Sequence, residues 1–351
     1  MGNSNTLTAA QIRQAILDNP KKRARDLADS LNIGEAALVA AQVTVGGATK
    51  ITADPNALIP RLKELGPVMA LTRTASVVHE KDGIYDNYHA GDHASMVLNG
   101  AIDLRMFPSH WVHAFAVRVE GDESVRHSIQ IFDAAGDAVH KIHARQGTDI
   151  AALEKLTVDL ATDDQPDTLT LATRQPAEAP KSNTAKLDIL RSEWDRMTDT
   201  HQFLRLTSKL GMNRLGAYRI VGDPYVQRLH PDAVNTALEQ LVATELPSMI
   251  FVGNRGCIQI HSGPIHNLRK MGPWQNVMDP EFNLHLRLDH IAEVYAVHKP
   301  TRRGMAHSIE AFDKDGAIIL QIFGMRSDAG DFTEKFAALC AALPTLEKEA
   351  V

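Results

Sequence analysis

Hydrophobic spacing gives each half of the chain a helical opening and a strand-rich body. Leu187, Leu190, Trp194 and Met197 recur at steps that place them on one helical face. Thr8-Ala-Ala-Gln11 has the form of a capping box, and Asp18-Asn-Pro20 stops the helix it begins. The pattern predicts further helices over Lys21–Leu31 and Glu35–Val43, with Asn32-Ile-Gly34 as the turn between them. From about Met69 to Arg145 the period changes to that of strands. Ala101–Phe107 alternates, as do Val112–Val119 and Ser128–Phe132, and Ala134-Ala-Gly-Asp137 reads as a hairpin turn. Thr148–Ala161 returns to a helical pattern. In the second half, helices are predicted over Gln202–Leu210 and near Pro231–Glu245, strands from Ser248 to Phe323, and a closing helix over Phe332–Leu343. Strands and helices do not alternate singly, so the expected fold class is α+β rather than α/β.

The plan occurs twice because the sequence does. His127-Ser-Ile-Gln-Ile-Phe-Asp-Ala-Ala-Gly136 returns 180 residues later as His307-Ser-Ile-Glu-Ala-Phe-Asp-Lys-Asp-Gly316. Met69 answers to Met249 and Asn87 to Asn267 at the same offset, and Asp103-Leu-Arg105 to His285-Leu-Arg287 at 182. The expectation is a tandem repeat of two similar modules, each a large antiparallel sheet flanked by helices. The first module is placed at 1–165 and the second at 184–351. Residues 166–183, with Pro166, Pro176 and Pro180 among small and polar neighbours, form the linker. Two related modules would enclose a cleft, and positions where the copies differ are where one copy can have taken on a task.

Composition narrows the class. A chain of 351 residues, 44% apolar and 23% charged, suits two soluble globular domains. No apolar run is long enough to span a bilayer, and no secretory signal is read at the start. Met1-Gly2 with Thr6 loosely fits a myristoylation pattern, but a short polar start is the preferred reading. Two cysteines, Cys257 and Cys340, exclude a disulfide framework and favour the cytoplasm. A net charge of −6 argues against general nucleic-acid affinity while leaving room for a local basic pocket.

The candidate chemistry is sparse. Residues from Ala24 to Leu38 have the rhythm of a helix-turn-helix, but the second helix offers a groove one Gln and no basic side chain. A plain helical hairpin is preferred. The 16 histidines form no His-Glu-x-x-His and no Cys/His cluster. His110/His113 and His140/His143 lie on segments read as strands, where odd spacing sends the two rings to opposite faces. No Gly-x-Ser-x-Gly elbow, P-loop or dinucleotide fingerprint occurs. His201 stands apart. It follows Asp199-Thr200, a helix-starting pair, where the helix dipole disfavours imidazolium and a neutral, metal-ligating ring is favoured. Aligning the hairpins through Leu31 and Leu210 sets His201 opposite Lys22, so the repeat is broken here. By composition alone, an exposed or capping histidine is the default. Arg105, Arg214, Lys299 and Arg326 default to solvated surface residues. Together they would suit a flat, apolar, dianionic ligand.

At these residues the sequence resembles the bacterial haemin-degrading factors of the HemS/ChuS type. The matching stretches include Met69-Ala-Leu-Thr-Arg-Thr-Ala-Ser-Val-Val-His-Glu-Lys81, Asp103-Leu-Arg-Met-Phe-Pro-Ser-His-Trp111, Asp199-Thr-His-Gln-Phe203, Gly253-Asn-Arg-Gly-Cys-Ile-Gln-Ile-His-Ser-Gly-Pro264, Leu284-His-Leu-Arg-Leu-Asp-His290 and Gln321-Ile-Phe-Gly-Met-Arg326. They run in order through both halves. The resemblance implies a cytoplasmic haem-binding protein of a bacterial haem-uptake system. It implies His201 as axial ligand to the iron, Arg105 on the distal side as both a haem-binding and the catalytic residue, and Phe107 against the macrocycle. Arg214, Lys299, Gln321 and Arg326 would line the pocket, and His79 would be a second, lower-ranked ligand. Leu320 stands where some relatives carry a polar residue, often Tyr.

Two activities follow from that resemblance. One is oxidative opening of the haem ring to release iron, with an external reductant and O2 or peroxide. The other is carriage, taking haem from an inner-membrane importer and passing it to a separate haem oxygenase. Degradation, with a reductase as possible partner, is the preferred expectation, and DNA binding the minor one.

Overall fold

A computed structural model describes residues 7–121, 124–328 and 330–346. The myristoylation pattern of Met1, Gly2 and Thr6 lies outside the described residues. The first half runs through α1 (Ala9–Asp18), α2 (Ala24–Leu31), α3 (Glu35–Ala40), β1 (Ala48–Ile51), α4 (Pro55–Leu58), β2 (Val68–Arg73), β3 (Val77–Gly83), β4 (Tyr88–His89), β5 (Ser95–Leu98), β6 (Asp103–Met106), β7 (His113–Glu120), β8 (Val125–Phe132), β9 (Ala138–Ala144) and α5 (Ile150–Leu160). The second continues with α6 (Leu187–Asp195), α7 (Gln202–Lys209), α8 (Arg214–Val221), β10 (Val226–Leu229), α9 (Ala233–Thr244), β11 (Ser248–Gly253), β12 (Cys257–Gly263), β13 (Leu268–Met271), β14 (Trp274–Met278), β15 (Phe282–Arg287), β16 (Glu293–Thr301), β17 (Gly304–Phe312), β18 (Ile318–Gly324), β19 (Arg326–Ser327), β20 (Gly330–Asp331) and α10 (Thr333–Ala341).

The chain forms two compact units. Among the described residues the first comprises 7–73, 79–175 and 253–259, and the second 74–78, 176–252 and 260–346. The division falls at Gln175/Pro176, within the proline-rich stretch. Each half lends the other a short segment, so β3 and β12 each begin in one unit and end in the other.

The first unit is built on an antiparallel run in the order β1-β7-β8-β9-β2. Its β4-β5-β6 meander shares a core with that run through Val97, Leu104, Met106, Ala114, Ile129 and Ile142. The outer face carries Phe115, Val117 and Phe132, which α3 covers with Ala36, Val39 and Ala40. The second unit repeats this in the order β10-β16-β17-β18-β11 with a β13-β14-β15 meander. Ile250, Val252, Ile309, Leu320 and Ile322 face that meander, while Tyr295, Val297 and Phe312 face helices α6 to α8. Alternation, interrupted by bulges at Ile131/Phe132 and Ala311/Phe312, thus separates a core face from an outer face that helices cover in part. The α+β repeat expected from the spacing is the observed architecture.

Local chemistry explains the turns. Asp133 accepts from the amides of Ala135 and Asp137, and Asp313 from Asp315 and Ala317, each at 2.9 Å. These Asx turns place Gly136 and Gly316 at φ 81° and 86°, a region that favours glycine. Thr8 and Gln11 form the reciprocal capping box that the sequence predicts.

Three expectations need correction. Helix α8 was not foreseen. His110 lies in a short 3₁₀ turn over Pro108–His110, not on a strand. Helix α3, the would-be recognition helix, has Glu35, Ala36, Leu38, Val39 and Ala40 buried. Packed this way it offers no face to a DNA groove.

Candidate functional site

The second unit holds most of the candidate residues, and α7 organises them. Phe203 in its first turn packs on Trp194 at 4.7 Å between ring centroids and on Tyr218 at 5.4 Å. This pins the helix start. His201, the N-cap residue, precedes Phe203 by two positions, close to half a helical turn, and so points away from that core. Its side chain is 91% exposed.

Asp199 determines which nitrogen His201 presents. Its Oδ1 accepts the His201 backbone N–H at 2.8 Å and lies 2.6 Å from Nδ1. Those two hydrogen bonds, from backbone and side chain, lower the Asp199 carboxyl below its usual range. An ionised carboxylate can only accept, so Nδ1 carries the proton. In the neutral ring Nε2 then keeps the lone pair, the arrangement in which a carboxylate orients and strengthens a metal-ligating imidazole. The loop is braced from below, because Arg302 N–H in the β16–β17 turn donates to Thr198 O at 3.0 Å. Arg326 ties to the same turn by donating to Arg303 O, and also to Asp331 at 2.7 Å.

Lys299 and Arg214 meet on one carboxylate. Lys299 Nζ lies 2.8 Å from Glu310 Oε1 and 2.7 Å from the Tyr218 hydroxyl, and Arg214 Nη1 lies 2.7 Å from Glu310 Oε2. Ser308 Oγ donates to Oε1 at 2.9 Å. The Phe203 ring lies 4.7 Å from Lys299 Nζ and 5.9 Å from the Arg214 guanidinium. Burial pushes Lys299 down to about 8 against the opposing pull of Glu310. Burial alone would raise Glu310, but Lys299 and Arg214 together bring it down to about 2. Two cations and one anion leave a net positive charge beside the sheet.

Register extends the site along the helix-side face. Glu310 is opposite Gln321, Gln321 opposite Phe251, and Phe323 opposite both Ser308 and Met249. Met249, Phe251, Gln321 and Phe323 are half-buried, with Phe251 and Phe323 in edge contact at 5.1 Å. Here a flat apolar surface adjoins a positive cluster.

In the first unit, Asp103, Arg105 and Phe107 alternate with the buried Leu104 and Met106, which places them on the outer face of β6. Arg105 Nη1 donates to the Asp103 carboxylate and, at 3.1 Å, to Leu104 O. Phe107 is half-buried, its N–H donating to Gly256 O at 2.9 Å. His79 is 0% exposed within β3, so a ligand role would require the core to open. Leu320 faces the core with Ile322, away from Gln321, and a polar side chain there would not reach the half-buried face.

Residues 32–160 and 211–343 each match the family model of the haemin-degrading HemS.ChuX domain. The chain belongs to the HemS/ChuX family. It is 39% identical over 321 residues to the hemin transport protein HemS of Yersinia enterocolitica, covering 91% of this chain and 92% of that protein. The structure of holo-PhuS, a heme-binding protein from Pseudomonas aeruginosa, is similar at a TM-score of 0.91 and 38% identity, over 97% of this chain and 100% of that one. ChuS, an E. coli heme oxygenase, is similar at a TM-score of 0.84 and 33% identity, over 95% of this chain and 99% of that one.

Family membership was legible in the sequence, but the partners of its candidate residues were not. Glu310, Tyr218 and Phe203 were all missed. Glu310 had a signal: it stands where the first module has Gln130, a new charge in a repeated motif.

Proposed function

We propose that this HemS/ChuX family member binds haem through Nε2 of His201 and opens the ring oxidatively, releasing iron within a bacterial haem-uptake system. The observation that carries the reading is the Asp199–His201 pair, a ring held by Nδ1 with its other nitrogen free and exposed. The half-buried Met249, Phe251 and Phe323 suit the macrocycle's plane, and the net positive Arg214–Lys299–Glu310 cluster suits its carboxylates. Gln321 and Arg326 supply further polar groups in the same unit. Arg105 and Phe107 keep the roles implied by the resemblance, with Arg105 acting on the oxygen side and Phe107 against the ring. Haem is the substrate, and an outside electron donor with O2 or peroxide would complete the chemistry. A cytoplasmic location, supply by an inner-membrane importer and contact with a reductase or oxygenase belong to the same proposal. Among the described residues no helix is long and apolar enough to cross a membrane.

The exposure of His201 favours a second reading, carriage, because a ligand bond open to solvent is readily exchanged. One assay separates the two. Haem-loaded protein receives ascorbate or a reductase system with catalase present. Loss of the Soret band with iron release and a bilin-like product supports degradation. Survival of the haem, followed by transfer to an added oxygenase, supports carriage.

A further inference from the structure

The core of the first unit contains polar chemistry that its fold does not need. Tyr85, His140, Thr72, Trp111 and Cys257 cluster there, each almost fully buried. The positions 180 residues away in the repeat are Ile265, Leu320, Val252, Ile291 and Val77, and all five belong to the core of the second unit. One unit therefore packs this position with aliphatic side chains. The other fills it with a phenol, an imidazole, a hydroxyl, an indole and a thiol.

Hydrogen bonding orders the cluster. The Tyr85 hydroxyl lies 2.5 Å from His140 Nε2, Thr72 Oγ1 lies 2.9 Å from His140 Nδ1, and Thr72 donates to Cys257 Sγ at 3.6 Å. One proton arrangement gives each hydroxyl and each ring nitrogen a partner. Thr72 gives its proton to the sulfur, Nδ1–H donates to Thr72, and the bare Nε2 accepts from Tyr85. The reverse tautomer would leave the buried Tyr85 proton without an acceptor, which is costly. Trp111 lies beside the imidazole, with ring centroids 6.5 Å apart and planes at 26°, and is fixed by its Nε1–H to Gly256 O at 2.9 Å. Burial disfavours the imidazolium and holds His140 neutral, down to about 3, so Nε2 keeps the lone pair that accepts from Tyr85.

A buried phenol without a base cannot release its proton, and because a phenol radical cation is a very strong acid, its oxidation needs a proton acceptor in hydrogen-bond contact. Tyr85 has that base in hydrogen-bond contact. We propose that Tyr85 and His140 form a one-electron oxidation site, in which an electron leaves the phenol as its proton crosses to His140 Nε2. The O–H bond of Tyr85 breaks, an N–H bond forms on His140, and a neutral phenoxyl radical remains beside an imidazolium. A thiol or ascorbate returns the electron, and the proton goes back. The oxidant is a one-electron acceptor of the kind produced when peroxide meets haem iron. The site would thus drain oxidising equivalents that escape ring opening. That choice of oxidant rests on the proposed function; the Tyr85–His140 pair does not.

The test uses the full chain in two arms. Haem-loaded protein is mixed with hydrogen peroxide and freeze-quenched, and haem-free protein is oxidised by a photogenerated ruthenium oxidant. Both are read by electron paramagnetic resonance in H2O and D2O. The expected result is a tyrosyl signal with an exchangeable-proton coupling that is absent in Tyr85→Phe. In His140→Leu, which installs the side chain of Leu320, the coupled signal is also lost. Tyr85→Phe removes only the hydroxyl, so it guards against a folding failure in the histidine variant. A signal confined to the photochemical arm supports the site but overturns haem as the source of its oxidant. The same coupled signal in Tyr85→Phe, or no such signal in either arm, overturns the site itself.

Discussion

Replacing Glu310 with Gln should be the most destabilising near-isosteric change at the candidate site. The carboxylate is fully buried and is the shared acceptor for Lys299, Arg214 and Ser308. Glutamine keeps the shape and one acceptor oxygen but leaves Lys299 and Arg214 without a counter-charge. Removing one partner of a buried pair costs about 3–5 kcal/mol, and the retained oxygen sets the expectation near the lower end. A second route agrees, since holding Glu310 at about 2 rather than its ordinary 4.5 is worth about 3 kcal/mol. The sign follows from the depressed value. This stability is present above pH 4.5 and is lost as pH falls toward 2, because the unfolded carboxyl binds its proton first. The assay is urea unfolding followed by tryptophan fluorescence, for which the buried Trp194 reports on the second unit. The variant should lose about 3 kcal/mol at pH 7, and its deficit should shrink as the solution is acidified below pH 4.5. A loss under about 1 kcal/mol at pH 7, or a deficit that does not change with acid, would refute the reasoning.

Other changes probe separate parts of the account. Asp199→Asn removes the anionic acceptor of Nδ1 and should weaken hemin binding by about tenfold or more, measured by Soret titration; unchanged affinity would detach the carboxylate from the site. Arg105→Ala should slow degradation by about a hundredfold, far more than it weakens hemin affinity, and a proportional loss of both would leave it a binding role alone. Gly216→Ala places a Cβ 1.8 Å from the Lys181 carbonyl oxygen, so thermal stability should fall although alanine is the better helix former by about 1 kcal/mol. A rise in melting temperature would show that the linker can move aside.

Much of the fold could be read because its strands alternate and its turns carry Asp and Gly at fixed offsets. The duplication gave a second reading of every element, and it contained a warning that went unused. The offset of 179 that sets Leu31 against Leu210 also sets Glu35, the start of α3, against Arg214, the start of α8. That helix escaped notice because it is short and carries Gly216, a residue that weakens a helical pattern. Asn213 caps it through Gly216 N, a local signal that was not weighed, and the glycine admits the Lys181 backbone, a tertiary contact that spacing does not show. Strand facing was legible, strand pairing was not. Alternation places Gln321 opposite in direction to Leu320, but only register shows that Gln321 shares its face with Glu310 and Phe251. The exchange of 74–78 and 253–259 between units leaves no trace in local pattern at all. His201 could be singled out by its helix start and by the break in the repeat. Its exposure and its bond to Asp199 are loop geometry, which spacing does not encode.

The central claim is a bond from His201 Nε2 to haem iron, and a hemin titration of His201→Ala, with and without added imidazole, tests it most directly. Wild type should give a sharp Soret band saturating at one haem per chain. The variant should lose or shift that band, and free imidazole should restore it. A variant spectrum that overlays wild type at every hemin concentration would contradict the account.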